Sequence, residues 1–229
     1  MNPFSKLSDK IKRSILAIRF TENQNITIEL QKRALAETVD YIDQKMNGVN
    51  SYSTKNEVLS YAASQCLIPG LHLEFGVFTG QSINLISKIF KSELIFGFDS
   101  FEGLPENWRD GFPAGMFSLN KLPKVNKNVQ LIKGWFTETL PKFIESNPGN
   151  IAFMHVDCDL YSSTKTIFDL LQNKICKGTV IVFDEYFNYP GWKNGEFKAF
   201  QEFANKNNIK YNYITYNNTN EQVAILIEE

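Results

Sequence analysis

The amino-acid sequence predicts an α/β fold in which helices cover both faces of a mostly parallel sheet. Three observations lead there. Short apolar runs at 71–75, 94–98, 129–133, 151–156 and 179–183 alternate with stretches whose apolar residues recur at helical spacing. Parallel strands joined by crossover helices produce that alternation. The first run, LHLEF, passes through the glycine turn GVFTG straight into the amphipathic run QSINLISKIF. Two later runs, HVDCD and VIVFDE, end in carboxylates, which parallel strands deliver to one edge of the sheet.

A length of 229 residues suits one large domain with a helical extension, residues 1–68 forming the extension or cap and 69–229 the sheet domain. A formal charge of −1 without a long basic block argues against nucleic acid as a partner. Cys66, Cys158 and Cys176 are scattered, odd in number and free of any C-x-x-C spacing, as expected in a reducing cytoplasm. No secretory signal and no apolar run of ~20 residues is apparent. The expectation is a soluble, cytoplasmic protein.

In chain order, Phe4, Leu7, Ile11, Ile15 and Ile18 share one face of a helix over 4–20, opposite Lys6, Lys10, Lys12 and Arg13. Such a face packs on the chain's own body, on a partner subunit of a homo-oligomer, or at a membrane surface. Ile28, Leu35, Val39, Ile42 and Met46 mark a second helix that Gly48 ends. Val58, Ala62 and Cys66 mark a third over 54–68, stopped by Pro69-Gly70. The central strand 71–75 follows. Helices are expected at 81–91, 138–146, 163–173 and 195–207. YNYITY and QVAILI, separated by NNTNE, leave no room for a helix and form an antiparallel hairpin at one sheet edge. The segment between Phe98 and Val129 is too long for a simple connector and carries Trp108, Phe112, Met116 and Phe117. It is either a lid over a substrate or a short helix on the sheet edge.

Ligands of such sheets bind beyond the carboxyl ends of the strands. Glu74 ends the central strand, and Gly76 and Gly80 bracket the turn after it. Glycine lets the backbone approach a bulky ligand. The pattern E-x-G-x-x-x-G does not frame a pyrophosphate; its carboxylate faces a cationic group instead. Asp99 ends the next strand, where a carboxylate accepts both hydroxyls of a ribose or else caps a turn. Gly134-Trp135 follows the third and offers a ring beside a nucleobase, unless Trp135 is core. Asp157, Asp159, Asp184 and Glu185 gather at the ends of the fourth and fifth strands. Acids so crowded repel one another unless a hard cation such as Mg²⁺ joins them, or unless some only cap helices. His155 reads as a buried, hydrogen-bonded residue or, alternatively, as a base. Cys158, between two aspartates, is no nucleophile.

The blocks LEFGVFTGQSINLIS, FGFDSFEGLPENW, IKGWFTETLP, MHVDCDLYSST and VIVFDEY, in that order across residues 70–190, resemble the macrocin/mycinamicin-type O-methyltransferases, a family of class I S-adenosylmethionine-dependent enzymes. The resemblance implies a Rossmann-like, doubly wound, seven-stranded sheet of order 3-2-1-4-5-7-6 with the last strand antiparallel. It implies methyl transfer from S-adenosylmethionine, with Mg²⁺, to a sugar hydroxyl of a small molecule. Glu74, Gly76, Gly80, Asp99, Ser100, Gly134 and Trp135 would bind the cofactor. Asp157, Asp184 and Glu185 would hold the metal, and Asp157, Asp159 or His155 would take the proton. The chain departs from the family's pattern at Cys158, where glycine is common, and at Glu185, where aspartate is. The competing readings are an NAD(P)-dependent oxidoreductase, disfavoured by the missing third glycine and the terminal hairpin, and a nucleoside-binding module without chemistry.

Overall fold

The computed structural model describes residues 10–15 and 24–229. Of the first predicted helix, 4–20, only residues 10–15 are described, and they are helical; Phe4, Leu7 and Ile18 lie outside. Helix α1 (Ile26–Lys45) starts at Asn25, whose side chain accepts the Thr27 and Ile28 N–H groups. Its buried side coincides only in part with the stripe predicted, Met46 and Ile42 meeting the core as expected. Ala34, Thr38 and Met46 are buried, whereas Leu35 and Val39 are exposed. The helix turns its smaller residues inward because Thr38 and Tyr41 find polar partners there. Thr38 Oγ1 accepts the Asn188 N–H, and the Tyr41 hydroxyl meets that of Tyr213.

A single sheet of eight strands follows, in order β1-β7-β8-β6-β5-β2-β3-β4. The strands are β1 (Asn50–Tyr52), β2 (Leu71–Phe75), β3 (Ile95–Asp99), β4 (Val129–Lys133), β5 (Ile151–Val156), β6 (Val180–Phe183), β7 (Tyr211–Asn217) and β8 (Val223–Ile227). From β4 to β7 the order is the seven-stranded one expected, with β8 antiparallel to both neighbours. The count was short by one, and the hairpin does not form the edge. β1 pairs parallel with β7 outside it, Asn50 opposite Thr215. Three residues, Asn-Ser-Tyr, carry no apolar run, so the sequence pattern had nothing to mark them.

Side chains alternate across each strand, and the two sheet faces bury separate cores. Leu73, Phe75, Phe98, Met154, Val156 and Phe183 pack under α1, α4 (Phe136–Ser146), α5 (Tyr161–Leu171) and α6 (Glu196–Lys206). Ile95, Phe153, Val180 and Val182 pack under α2 (Lys55–Ser64) and α3 (Gln81–Ile89). β2 and β5 are buried along nearly their whole length, so the polar residues they carry, His72, Glu74 and His155, are buried as well. α2 is fastened at its start by a reciprocal cap, in which Thr54 accepts the Glu57 N–H and the Glu57 carboxylate accepts the Thr54 N–H.

Residues 100–128 contain no helix. The loop doubles back on itself instead, Leu104 and Met116 exchanging backbone contact (Leu104 N to Met116 O, 2.9 Å) and Trp108 N donating to Phe112 O at 3.0 Å.

The turn after β2 depends on Gly76. Its φ is +87°, and a Cβ there would lie 1.7 Å from the carbonyl oxygen of Asp157. Backbone cannot give way as a side-chain tip would. Gly76→Ala is therefore expected to destabilise the fold by about 2 kcal/mol or more, measured as a lowered urea midpoint. An unchanged midpoint would contradict the close approach of β2 and β5 described here.

Candidate active site

The carboxyl ends of β2 to β6 open into a cavity of about 660 Å³, within the ~300–1,000 Å³ usual for small-molecule sites. Gly76, Asp99, Ser100, Gly134 and Trp135 line one part of it, and Asp157, Asp159 and Glu185 another. Gly80 (φ +81°) caps α3 at the turn's far side. It lies beside this cavity but is not part of its wall.

Asp99 stitches together the wall beside the glycine turn. Its Oδ2 accepts the N–H groups of Val77 (2.9 Å) and Phe78 (2.8 Å), and its Oδ1 that of Phe101 (2.7 Å). One carboxylate thus ties the glycine turn to the loop that follows β3. Three charge-assisted bonds leave it part of its acceptor capacity for a ligand hydroxyl. Ser100 accepts the Glu102 N–H at 3.1 Å and is buried beneath the same loop.

The acid cluster holds a cation that the sequence reading missed. Lys55 Nζ, from the first turn of α2, sits 2.7 Å from Asp157 Oδ2 and 2.8 Å from Asp184 Oδ1. His155 and Glu74 lie one layer beneath. Both are fully buried and absent from the cavity wall. His155 Nδ1 meets Glu74 Oε1 at 2.8 Å, while its Nε2 stands 3.6 Å from Asp184 Oδ1. Glu74 therefore faces a histidine through Oε1, its buried Oε2 having no hydrogen-bond partner, and His155 braces Asp184 from below. Glu196, at the start of α6, is the second residue that was missed. Its Oε1 accepts the Cys158 N–H (3.3 Å) and its Oε2 that of Glu185 (3.2 Å). This one buried carboxylate joins the tips of β5 and β6.

These surroundings set the charges. Burial alone would pull the His155 ring down, but Asp184 and Glu74 on its two sides raise it to about 9. Burial opposes ionisation of Asp184 too, yet Lys55 and His155 beside it hold its carboxyl below the usual range. Glu185 and Glu196 are pushed well up by burial and by the neighbouring carboxylates. Asp159, in a left-handed backbone (φ +64°), is raised to about 7, mainly by burial and by Asp157. The cluster is under-neutralised. Glu185 Oε2 is buried with no hydrogen-bond partner. Oxygens of Asp157, Asp159 and Glu185 lie within 4.8 Å of one another, as do ligand atoms of His155, Asp157 and Asp184. An orphaned carboxylate oxygen among convergent hard donors fits a divalent cation.

The loop 100–128 roofs the cavity through Leu104, Trp108, Arg109, Phe112 and Phe117. The Arg109 guanidinium stacks 3.9 Å from the centre of the Trp108 ring and pairs with both oxygens of Glu221 (3.1 and 3.2 Å). At the other side Ser162 donates to Glu106 at 2.6 Å. Of the two readings of this segment, the structure shows a cover and no helix.

Comparison with known proteins agrees with the motifs. Residues 116–220, which carry the acid-bearing strand ends, match the family model described as macrocin-O-methyltransferase (TylF). The demethyldecarbamoylnovobiocin O-methyltransferase of Streptomyces niveus is 26% identical over 165 residues, 61% of this chain and 62% of its own length. The 8-demethyl-8-(2,3-dimethoxy-alpha-L-rhamnosyl)-tetracenomycin-C 4′-O-methyltransferase of Streptomyces olivaceus is 26% identical over 144 residues, 52% of this chain and 54% of its own. The chain thus spans less than two thirds of either curated relative. Among solved structures, the calicheamicin methyltransferase CalS11 superposes with a TM-score of 0.61 at 22% identity, covering 75% of this chain and 77% of that one. The O-methyltransferase NovP gives 0.59 at 21%, covering 76% and 80%. The Rossmann-like sheet is shared with these structures, and the resemblance to macrocin-type O-methyltransferases holds.

The Asp99 geometry makes a prediction. Asp99→Ala releases three N–H groups and should destabilise the fold by about 1–3 kcal/mol. Asp99→Asn keeps an acceptor for the glycine turn and should recover much of that. If calorimetry finds the alanine variant as stable as native, Asp99 serves only a ligand and not the turn.

Proposed function

We propose that this chain, with its match to the macrocin-O-methyltransferase family over residues 116–220, is an O-methyltransferase that moves a methyl group from S-adenosylmethionine to a hydroxyl of a sugar or glycosylated small molecule. One observation carries the reading. The glycine turn and the acids Asp157, Asp159 and Glu185 are parts of a single cavity wall, so a nucleoside beside Gly76 and an alcohol beside Asp157 share one cleft. The names of the curated relatives support the acceptor class, since one of them methylates a rhamnosyl tetracenomycin at the 4′ oxygen.

The donor's sulfonium supplies an activated methyl group and a neutral leaving group. The chain's own residues position and deprotonate. Gly76 lets the donor lie against the backbone, Asp99 and Ser100 offer acceptors to its ribose, and Trp135 offers a ring face to its base. Alignment of the two reacting atoms in a closed cavity accounts for much of such an enzyme's rate. The acceptor hydroxyl loses its proton to a carboxylate as its oxygen bonds to the methyl carbon and the carbon–sulfur bond breaks. Asp159 is the candidate we favour, because it lines the cavity and Lys55 grips Asp157 and Asp184 instead. His155 has no path to the acceptor, being fully buried. Asp157, Asp184 and Glu185 would hold Mg²⁺, which when bound supplies Lewis acidity toward an alcohol. The roof, rich in aromatic faces and carrying Arg109, closes over the acceptor.

Titration calorimetry should show S-adenosylhomocysteine binding and no comparable binding of NAD⁺. Asp157→Ala is expected to lower methyl transfer to a glycoside acceptor by on the order of 100-fold or more with S-adenosylhomocysteine binding retained. EDTA should abolish turnover and added Mg²⁺ restore it. Near-native turnover in the variant or in chelator would remove the metal from the scheme, and tight NAD⁺ binding would overturn methyl transfer itself.

A further inference from the structure

We infer that Lys55 is a tethered cation that occupies the acid cluster and must withdraw before a divalent metal can enter, so that the first turn of α2 sets how readily the site is loaded. The inference rests on the reading of this cluster as a divalent-cation site. Lys55 Nζ touches one oxygen each of Asp157 and Asp184, which belong to the ends of β5 and β6. These are two of the three carboxylates that a Mg²⁺ ion would need at ~2.0–2.1 Å. An ammonium at 2.7 and 2.8 Å from both lies between them and excludes the ion from those oxygens.

The position of the lysine is otherwise unfavourable. It is the first residue of α2, and the positive end of a helix dipole disfavours a cation there. The carboxylates alone make the placement stable. Yet the ammonium does not satisfy the cluster. Glu185 lines the same cavity, is 7% exposed, and keeps a buried Oε2 with no partner. One charge on a lysine covers two acids, whereas a divalent ion would bring two charges to a cluster in which oxygens of Asp157, Asp159 and Glu185 lie within 4.8 Å of one another.

The exchange needs no movement of the helix. Val58, Leu59, Ala62 and Ala63 anchor α2 in the core, while the lysine's four-carbon stem is flexible and its side chain is 30% exposed. Asn56, its neighbour, also lines the cavity, so the ammonium can move outward along the wall and remain solvated. Because the lysine is tethered, its local concentration is high and the native site binds metal weakly.

Mn²⁺ binding by the full chain, followed by electron paramagnetic resonance, tests this without any turnover. Lys55→Met should bind Mn²⁺ about tenfold tighter or more, and Lys55→Arg no tighter than native. In the native protein, acylation of Lys55 by acetic anhydride, read by mass spectrometry, should rise severalfold when Mg²⁺ is added. If native protein binds Mn²⁺ and Lys55→Met binds it no tighter, the competition is overturned while the metal site stands. Absence of binding in native and variant alike overturns both. Should Lys55→Met not fold, the labelling decides, and acylation that Mg²⁺ leaves unchanged overturns the proposal.

Discussion

Crowding of carboxylates at one end of a parallel sheet is the constraint from which the rest of this site follows. Asp157, Asp184 and Glu185 are delivered there by strand register, with Asp159 two residues on and Glu74 and Glu196 beneath. Buried acids in such number are tolerable only with counter-charge or protonation. The chain answers with three devices. Lys55 bridges two acids, His155 is held charged between Glu74 and Asp184, and Glu185 and Glu196 are pushed toward the neutral form. Each is partial, and one oxygen each of Glu74 and Glu185 stays buried without a hydrogen-bond partner.

Much of this was legible in the sequence because it depends on local runs. The β4 and β5 boundaries match the runs 129–133 and 151–156, since a short, mostly apolar run between turn residues marks a strand whether it lies at the sheet edge or in its centre. The terminal hairpin was legible from loop length alone. β1 was not, being polar and three residues long and held by its partner β7. The α1 stripe was read correctly at Ile42 and Met46 but not at Leu35 and Val39, because the inward face also carries hydroxyls that meet Asn188 and Tyr213, which lie far away in the chain. Lys55 was invisible for the same reason: 102 positions separate it from Asp157, and an isolated lysine at a helix start resembles any surface residue.

Asp99 shows how a correct location can conceal a second duty. Its place after the second sheet strand of the nucleotide-binding half pointed to a ribose. In the fold it first accepts three backbone N–H groups from two loops, and so fixes the shape of the glycine turn. Glu74 is the converse case, a carboxylate at the expected strand end that the fold spends on His155. The register that pairs Glu74 with His155 across β2 and β5 decides this, and no motif within either strand reports it.

The cover over the cavity is fastened at two corners by polar ties, Arg109 to Glu221 and Ser162 to Glu106. Partly exposed ties of this kind contribute only ~0–1 kcal/mol each, far less than the apolar seams that bind helices to the sheet. The cover's firmer attachment lies elsewhere, for Phe101 and Leu104 are buried, Leu119 and Val125 pack on the core under α2 and α3, and Asp99 accepts the Phe101 N–H. Neither tie touches the Lys55 contacts with Asp157 and Asp184, so a change at Arg109 or Glu106 alters the cover and leaves the paired acids below it as they are.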